Sequence, residues 1–112
     1  MELHSEEDFD EHQLKLMKRQ IEYFKEGKLE LDGLINDLLF LRDALKKIDP
    51  NLEKLFTEKI LDLESVYSYT LEHKMKNLSR DDEQTINEAI GDITEIISTI
   101  LLPVSHDEKN NN

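Results

Sequence analysis

Apolar residues recur every three or four positions in the middle of this chain, and this spacing constrains the fold more than any other feature. An α-helix has about 3.6 residues per turn, so residues spaced in this way share one face, whereas a half-buried strand alternates every second residue. From just after Asp32 to Ile48 the pattern predicts an amphipathic helix with Ile35 and Leu39 widening the apolar face. Its main line is Leu34, Leu38, Leu41, Leu45 and Ile48.

Three further segments have the same helical spacing. A first helix is predicted over residues 8–26, with Leu14, Met17, Ile21 and Phe24 on one face. A third is predicted over residues 50–77, with an inner face of Leu52, Phe56, Leu63, Val66, Tyr67 and Thr70, flanked by Leu55, Ile60 and Leu71. The fourth should follow Ser79, end at Pro103 and bury Ile86, Ile90, Ile93, Ile97 and Ile100.

Residues at the segment boundaries suit helix ends. Gly27 is placed to end the first helix, because glycine tolerates the left-handed conformation found there. Asp32 is expected to be the N-cap of the second helix. Asp49 and Pro50 favour an N-cap followed by a first helical residue that needs no N–H. Ser79 is expected to cap the fourth helix.

Four amphipathic helices with short connections predict an all-α fold, an antiparallel four-helix bundle in up-down-up-down order. A chain of 112 residues holds one hydrophobic core. We expect a disordered acidic arm over residues 1–7, a single bundle domain over residues 8–102 and a disordered polar tail over residues 103–112.

Composition narrows the possible environments and partners. The chain has no cysteine, so neither disulfides nor thiolate metal sites can form. No apolar run approaches the length of about 20 residues that a membrane-spanning helix needs, and the acidic N-terminus does not resemble a signal peptide. A cytoplasmic location is expected. The net charge of −12 disfavours nucleic acid and anionic membranes as direct partners and favours a basic protein. The charge could instead serve only solubility.

The acidic residues are concentrated in two places. Residues 1–12 contain six acidic and no basic residues, and the fourth helix contains no basic residue after Arg80 until Lys109. Like charges one helical turn apart destabilise a helix slightly, so an uncompensated row is typical of a surface that meets a basic partner. It is also compatible with a solvated face. The predicted partner-binding row is Asp81, Glu88, Asp92 and Glu95.

A second candidate surface lies on the third helix, away from its apolar face. Leu61, Ser65, Ser68 and Glu72 share this side, with Tyr69 next to them. Apolar and tyrosine side chains among small polar ones are typical of interaction hot spots. We therefore take Leu61, Tyr69 and Glu72 as further partner-binding candidates. The same strip could serve self-association, which leaves a monomer or a weak homodimer open.

Residues for catalysis are hard to find in this chain. The histidines are His4, His12, His73 and His106, and none has the Glu-x-x-His spacing of di-iron bundles. Phosphate-binding loops, nucleophile elbows and zinc-finger spacings are absent from the sequence. We expect no catalytic residue, no metal and no cofactor, and hence a binding protein rather than an enzyme. A phosphotransfer bundle that uses His73 is the remaining enzymatic alternative.

Three runs of this sequence resemble the small all-α immunity proteins of bacterial polymorphic toxin and contact-dependent growth inhibition systems. They are IEYFKEGKLELDGLINDLLFLRDAL, LEKLFTEKILDLESVYSYTLEH and LSRDDEQTINEAIGDI, within residues 14–97. The shared layout includes Tyr23, Phe24 and Gly27 at the end of the first helix, and Leu63, Glu64 and Tyr67 in the third. Family members often have a tryptophan in the third helix, and this chain has none.

The resemblance implies that the protein binds and neutralises a cognate toxin, commonly a nuclease that acts in the cytoplasm. The charge is compatible with this role, because a nuclease needs a cationic cleft to bind a phosphate backbone. A non-catalytic helical adaptor or a homodimeric regulatory protein is the alternative function.

Overall fold

Four helices account for most of the computed structural model, which describes residues 6–74 and 77–110 and the side chains of residues 8–74 and 77–101. They are α1 (Glu6–Lys25), α2 (Leu31–Ala44), α3 (Pro50–Glu72) and α4 (Arg80–Asn110). The described part of the chain contains no strand. The predicted all-α four-helix bundle is confirmed.

Helices that follow one another in the chain pack side by side. α2 lies between α1 and α3, and α4 packs against both α3 and α1, so that the four helices enclose one core. The helices of each diagonal pair, α1 with α3 and α2 with α4, lie farther apart, with no Cα–Cα distance of 8 Å or less within the described residues. Short connections between neighbours produce this square up-down-up-down arrangement.

The core is built from the predicted apolar faces, with additions that the sequence did not single out. Ile60 was expected on the flank of the third helix, yet its side chain has 0% relative exposure. Ala89 and Ile96 also join the core of α4, while Ile100 is only half-buried. Helices that contact two neighbours bury a wider arc than a single line of residues. The buried apolar residues are Leu14, Met17, Ile21, Leu34, Ile35, Leu38, Leu41, Phe56, Ile60, Leu63, Val66, Ile86, Ala89, Ile90, Ile93, Ile96 and Ile97.

Four of the predicted helix-end residues have the expected role, and one of them, Pro50, is the first residue of α3. Gly27 has a φ of +80°, in the left-handed region, and follows the end of α1. The Asp49 carboxylate accepts hydrogen bonds from the N–H groups of Asn51 (3.0 Å) and Leu52 (3.2 Å). Ser79 Oγ accepts from Asp82 N–H at 3.0 Å. These contacts satisfy backbone donors that a helix start leaves without partners.

The prediction for α2 is wrong at both ends. The helix begins at Leu31, with Glu30 at the N-cap position and no side-chain cap, while Asp32 lies in the first turn. It ends at Ala44 rather than at Ile48, because the backbone at Leu45 turns to an extended conformation. The next N–H groups are then bound by Asp10 from α1, a contact between segments distant in the chain that local spacing cannot reveal.

Two further boundaries differ from the prediction. α3 ends at Glu72, not near Asn77, and Lys74 has a left-handed φ of +53°. α4 continues past Pro103 to Asn110. A proline removes one hydrogen bond from a helix interior, but α4 is continuous through this position. The predicted tail therefore includes helical residues 103–110, and α1 already begins at Glu6. Residues 1–5 and 111–112 of the predicted arm and tail lie outside the described residues.

Candidate partner-binding surface

The four acidic residues predicted from the sequence lie along the outside of α4. Burial of the isoleucines fixes the orientation of the helix, and the acidic residues are about a third of a turn away from that buried face. Asp81, Glu88 and Glu95 are exposed, and Asp92 is half-buried. Glu88 accepts a hydrogen bond from Gln84 Nε2 at 3.1 Å. We call these four residues the acidic face of α4.

A lysine from the neighbouring helix reaches this acidic face. Lys59 Nζ of α3 lies 3.3 Å from Asp92 Oδ2, with 28% of the lysine side chain exposed. The expectation that the row is uncompensated is therefore wrong at Asp92, because the compensating charge comes from another helix. Asp81, Glu88 and Glu95 make no ion pair with any described residue. The acidic face keeps a strong negative charge.

The side chains predicted as a second candidate surface also lie together. Leu61 and Tyr69 are 48% and 50% exposed, and Glu72 is exposed near them. With Glu64, Ser65 and Ser68 they line one shallow depression on the outside of α3. We call this set the outer face of α3. Its charges are the carboxylates of Glu64 and Glu72, so this face is also negative, and Leu61 and Tyr69 give it two possible anchors.

Tyr69 is held in place by the end of its own helix. The rings of Tyr69 and His73 lie 4.0 Å apart between centroids, with 31° between their planes. His73 Nδ1 lies 2.9 Å from the backbone carbonyl oxygen of Tyr69. The exposed His73 is the C-cap residue of α3. A tyrosine already stacked in one orientation loses less side-chain entropy when a partner covers it.

A groove lies between the N-terminal half of α3 and the neighbouring part of α4. The sequence did not predict it. Leu52, Leu55 and Lys59 line its α3 side, and Leu55 is 40% exposed. We refer to it as the α3–α4 groove. The α4 side consists of Asp92, Glu95, Ile96 and Thr99. The sequence signal that could have predicted the groove is the spacing of these residues. On each helix they recur every three or four positions, next to the buried apolar face.

Among the side chains that the structure describes, the most exposed large apolar one lies elsewhere. Phe40 of α2 is 73% exposed and borders a depression between α1 and α2 with Leu16 and Leu41. Gln20 Nε2 donates to Asp37 Oδ2 across this depression at 2.6 Å. The depression lies against α1 and α2, so Phe40 is not part of the candidate surface on α3 and α4.

The described part of the chain offers neither a metal site nor a membrane-spanning helix as an alternative functional feature. No group of three or more histidine or acidic side chains there is arranged to hold a metal ion. None of the described helices combines the length and apolar character needed to cross a bilayer. Comparison of the chain with protein-family models, curated proteins and solved structures finds no match.

Proposed function

We propose that this protein binds a basic protein partner through the outer surface of α3 and α4. One observation carries the proposal: the acidic face of α4 presents four carboxylates, and Lys59 is paired with only one of them. Carboxylates held on one side of a rigid helix create a negative field that accelerates encounter with a cationic surface. The field comes from fixed positions, so it also favours one orientation of the partner.

The more specific proposal is an immunity protein that neutralises a cognate bacterial toxin of the nuclease type. The resemblance of three sequence runs to such proteins suggests the class. A nuclease must hold cationic side chains at its substrate cleft to bind phosphates. A row of carboxylates can occupy such a surface and keep nucleic acid away from it.

Exposed apolar and aromatic side chains supply binding energy that surface charge alone does not. Exposed ion pairs contribute about 0 to 1 kcal/mol each, so the acidic face supports fast association more than tight binding. Leu61 and Tyr69, both about half exposed, offer side chains of the kind that dominate binding energy once a partner covers them. The carboxylates would mainly set the association rate, and Leu61 and Tyr69 would mainly set the affinity.

Expression together with a toxin tests the specific proposal. If the gene lies directly after a toxin gene, the toxin domain encoded there should co-purify with this protein at low salt and dissociate more readily as salt rises. The complex should also abolish the toxin's nuclease activity. A matched control is the toxin domain from an unrelated system. Lack of binding to the adjacent toxin at low salt would overturn the immunity proposal.

A homodimeric adaptor is the second candidate function, because the outer face of α3 exposes Leu61 and Tyr69 around two serines. Sedimentation equilibrium distinguishes the two candidates. A dimer that dissociates when Leu61→Ser is introduced would favour the adaptor. A monomer at all concentrations would leave only the heterologous partner.

A further inference from the structure

We infer that the α3–α4 groove seats an amphipathic helix of the basic partner, with an apolar side chain on the groove floor and an arginine against its acidic wall. This inference rests on the proposed function and names where and how the partner anchors. It concerns residues that neither the charge pattern nor the exposed strip on α3 selects: Leu52, Leu55, Ile96 and Thr99.

The groove has an apolar floor and an open mouth. Ile96 is buried beneath it, Leu52 is half-buried, and Leu55 is 40% exposed on one wall. Thr99 on the opposite wall is short and exposed. The α3 residues recur at spacings of three and four over seven positions, about 10 Å along the helix. Two turns of a partner helix have about that length, which is the scale of helix-in-groove recognition.

The groove rim identifies the charge of its occupant. Glu95 has no ion pair among the described residues, and Asp92 is paired only with Lys59. Asp92 and Glu95 are three residues apart on one helix, so their carboxylates lie on neighbouring turns. A guanidinium group can bind two carboxylates through its several N–H donors, and Lys59 can turn away on its flexible stem. The rim therefore matches an arginine next to an apolar residue.

A second copy of this chain is a poor occupant. Two copies would each bring a net charge of −12 to the contact. The one segment with a clear basic excess, residues 13–28, carries five basic and two acidic residues. Of its apolar side chains, Leu14, Met17 and Ile21 are buried in the core, Leu16 and Phe24 are half-buried against it, and Tyr23 is 39% exposed. The occupant must come from another, basic protein.

The test uses two synthetic helical peptides of equal positive charge as probes. One is built from leucine, arginine and alanine with leucines and arginines on one face, and the other has serine in place of each leucine. Binding to the whole isotopically labelled protein is followed by nuclear magnetic resonance at low salt. We expect the leucine peptide to bind about tenfold more tightly, with the largest shifts at Leu55, Ile96 and Thr99.

Four variants, one of them a control, assign the binding to the groove. Leu55→Ser should remove most of the difference between the peptides, and Leu71→Ser, equally apolar but 60% exposed and outside the groove, should preserve it. Thr99→Phe replaces a short wall residue with a large one that fills the groove, and should also abolish the preference. Glu95→Gln should weaken both peptides. Circular dichroism checks that each variant is folded.

The outcomes separate the two levels of the proposal. Equal binding of both peptides, or an unchanged preference in both Leu55→Ser and Thr99→Phe, overturns the groove while leaving the acidic surface in place. Lack of binding by either peptide at low salt overturns the proposed recognition of basic partners itself.

Discussion

Asp10 of α1 binds the backbone of Lys46 across the bundle, with Oδ1 accepting the Lys46 N–H at 2.7 Å. Its second oxygen accepts the Lys47 N–H at 2.6 Å. The Lys46 ammonium lies 5.6 Å from the centroid of the Phe9 ring, within the range of a cation–π contact. The start of α1 thus holds the connection between α2 and α3, and it supplies partners for two donors that follow the end of α2.

Removal of the Asp10 carboxylate should destabilise the fold. Asp10 is 8% exposed, so Asp10→Ala leaves two N–H groups with reduced access to water. The free energy of unfolding should fall by about 1 to 3 kcal/mol, measured by urea denaturation. The control is Glu11→Ala, which removes an exposed ion pair to Lys15 and should cost less than about 1 kcal/mol. Equal losses in both variants would contradict a structural role for Asp10.

Two apolar residues of α3 should respond very differently to truncation. Ile60→Ala removes a fully buried side chain and should lower the free energy of unfolding by about 2 to 5 kcal/mol. Leu71→Ala, at 60% exposure, should change it by less than about 0.5 kcal/mol. Thermal unfolding followed by circular dichroism measures both. Similar melting temperatures for the two variants would show that Ile60 does not belong to the core.

Two glycines should have opposite effects when replaced by alanine. Gly91 is an exposed residue inside α4, and an added Cβ would have no atom within 4 Å. Gly91→Ala should therefore raise the free energy of unfolding by about 0.5 to 1 kcal/mol, since alanine favours helix. Gly27→Ala has the same free space but a φ of +80°, and should lower stability by about 1 kcal/mol. Parallel denaturation curves decide the signs, and a loss in Gly91→Ala would contradict the placement of this residue.

Charge reversal on the acidic face should slow association with a basic partner. Glu88→Lys changes the field where the partner first meets α4, so the association rate constant at low salt should fall several-fold. Stopped-flow mixing with the basic leucine–arginine peptide described above measures it. Glu30→Lys makes the same change in net charge at an exposed position before α2. If both variants slow binding equally, net charge rather than this face controls association.

Neutralisation of Lys59 should have the opposite effect on binding. Lys59→Gln removes the cation that pairs with Asp92 at 3.3 Å, so the acidic face becomes more negative and association should accelerate. The loss of this partly exposed pair should reduce the free energy of unfolding by less than about 1 kcal/mol. The rate constant and the denaturation midpoint are measured on the same preparation. Slower association would mean that Lys59 itself contacts the partner.

Local patterns in the sequence were sufficient for much of the architecture. The spacing of the leucines and isoleucines predicted four helices and most of the core, because helix geometry converts spacing directly into faces. Asp49, Ser79 and Gly27 marked helix ends through contacts within a few residues. Asp81, Glu88, Asp92 and Glu95 could be assigned to one outer face of α4 for the same reason.

Features formed jointly by two helices could not be predicted from the sequence. Asp10 ends α2 earlier than its leucine spacing suggests, Lys59 compensates Asp92, and Leu55 meets Ile96 and Thr99 in a groove. Each of these depends on how α1, α2, α3 and α4 are rotated and shifted against one another, and no residue spacing within one helix encodes that. The sequence by itself determined an acidic bundle with a charged row on its last helix. Packing of α3 against α4 decided how much of that charge is free and where an apolar anchor lies beside it.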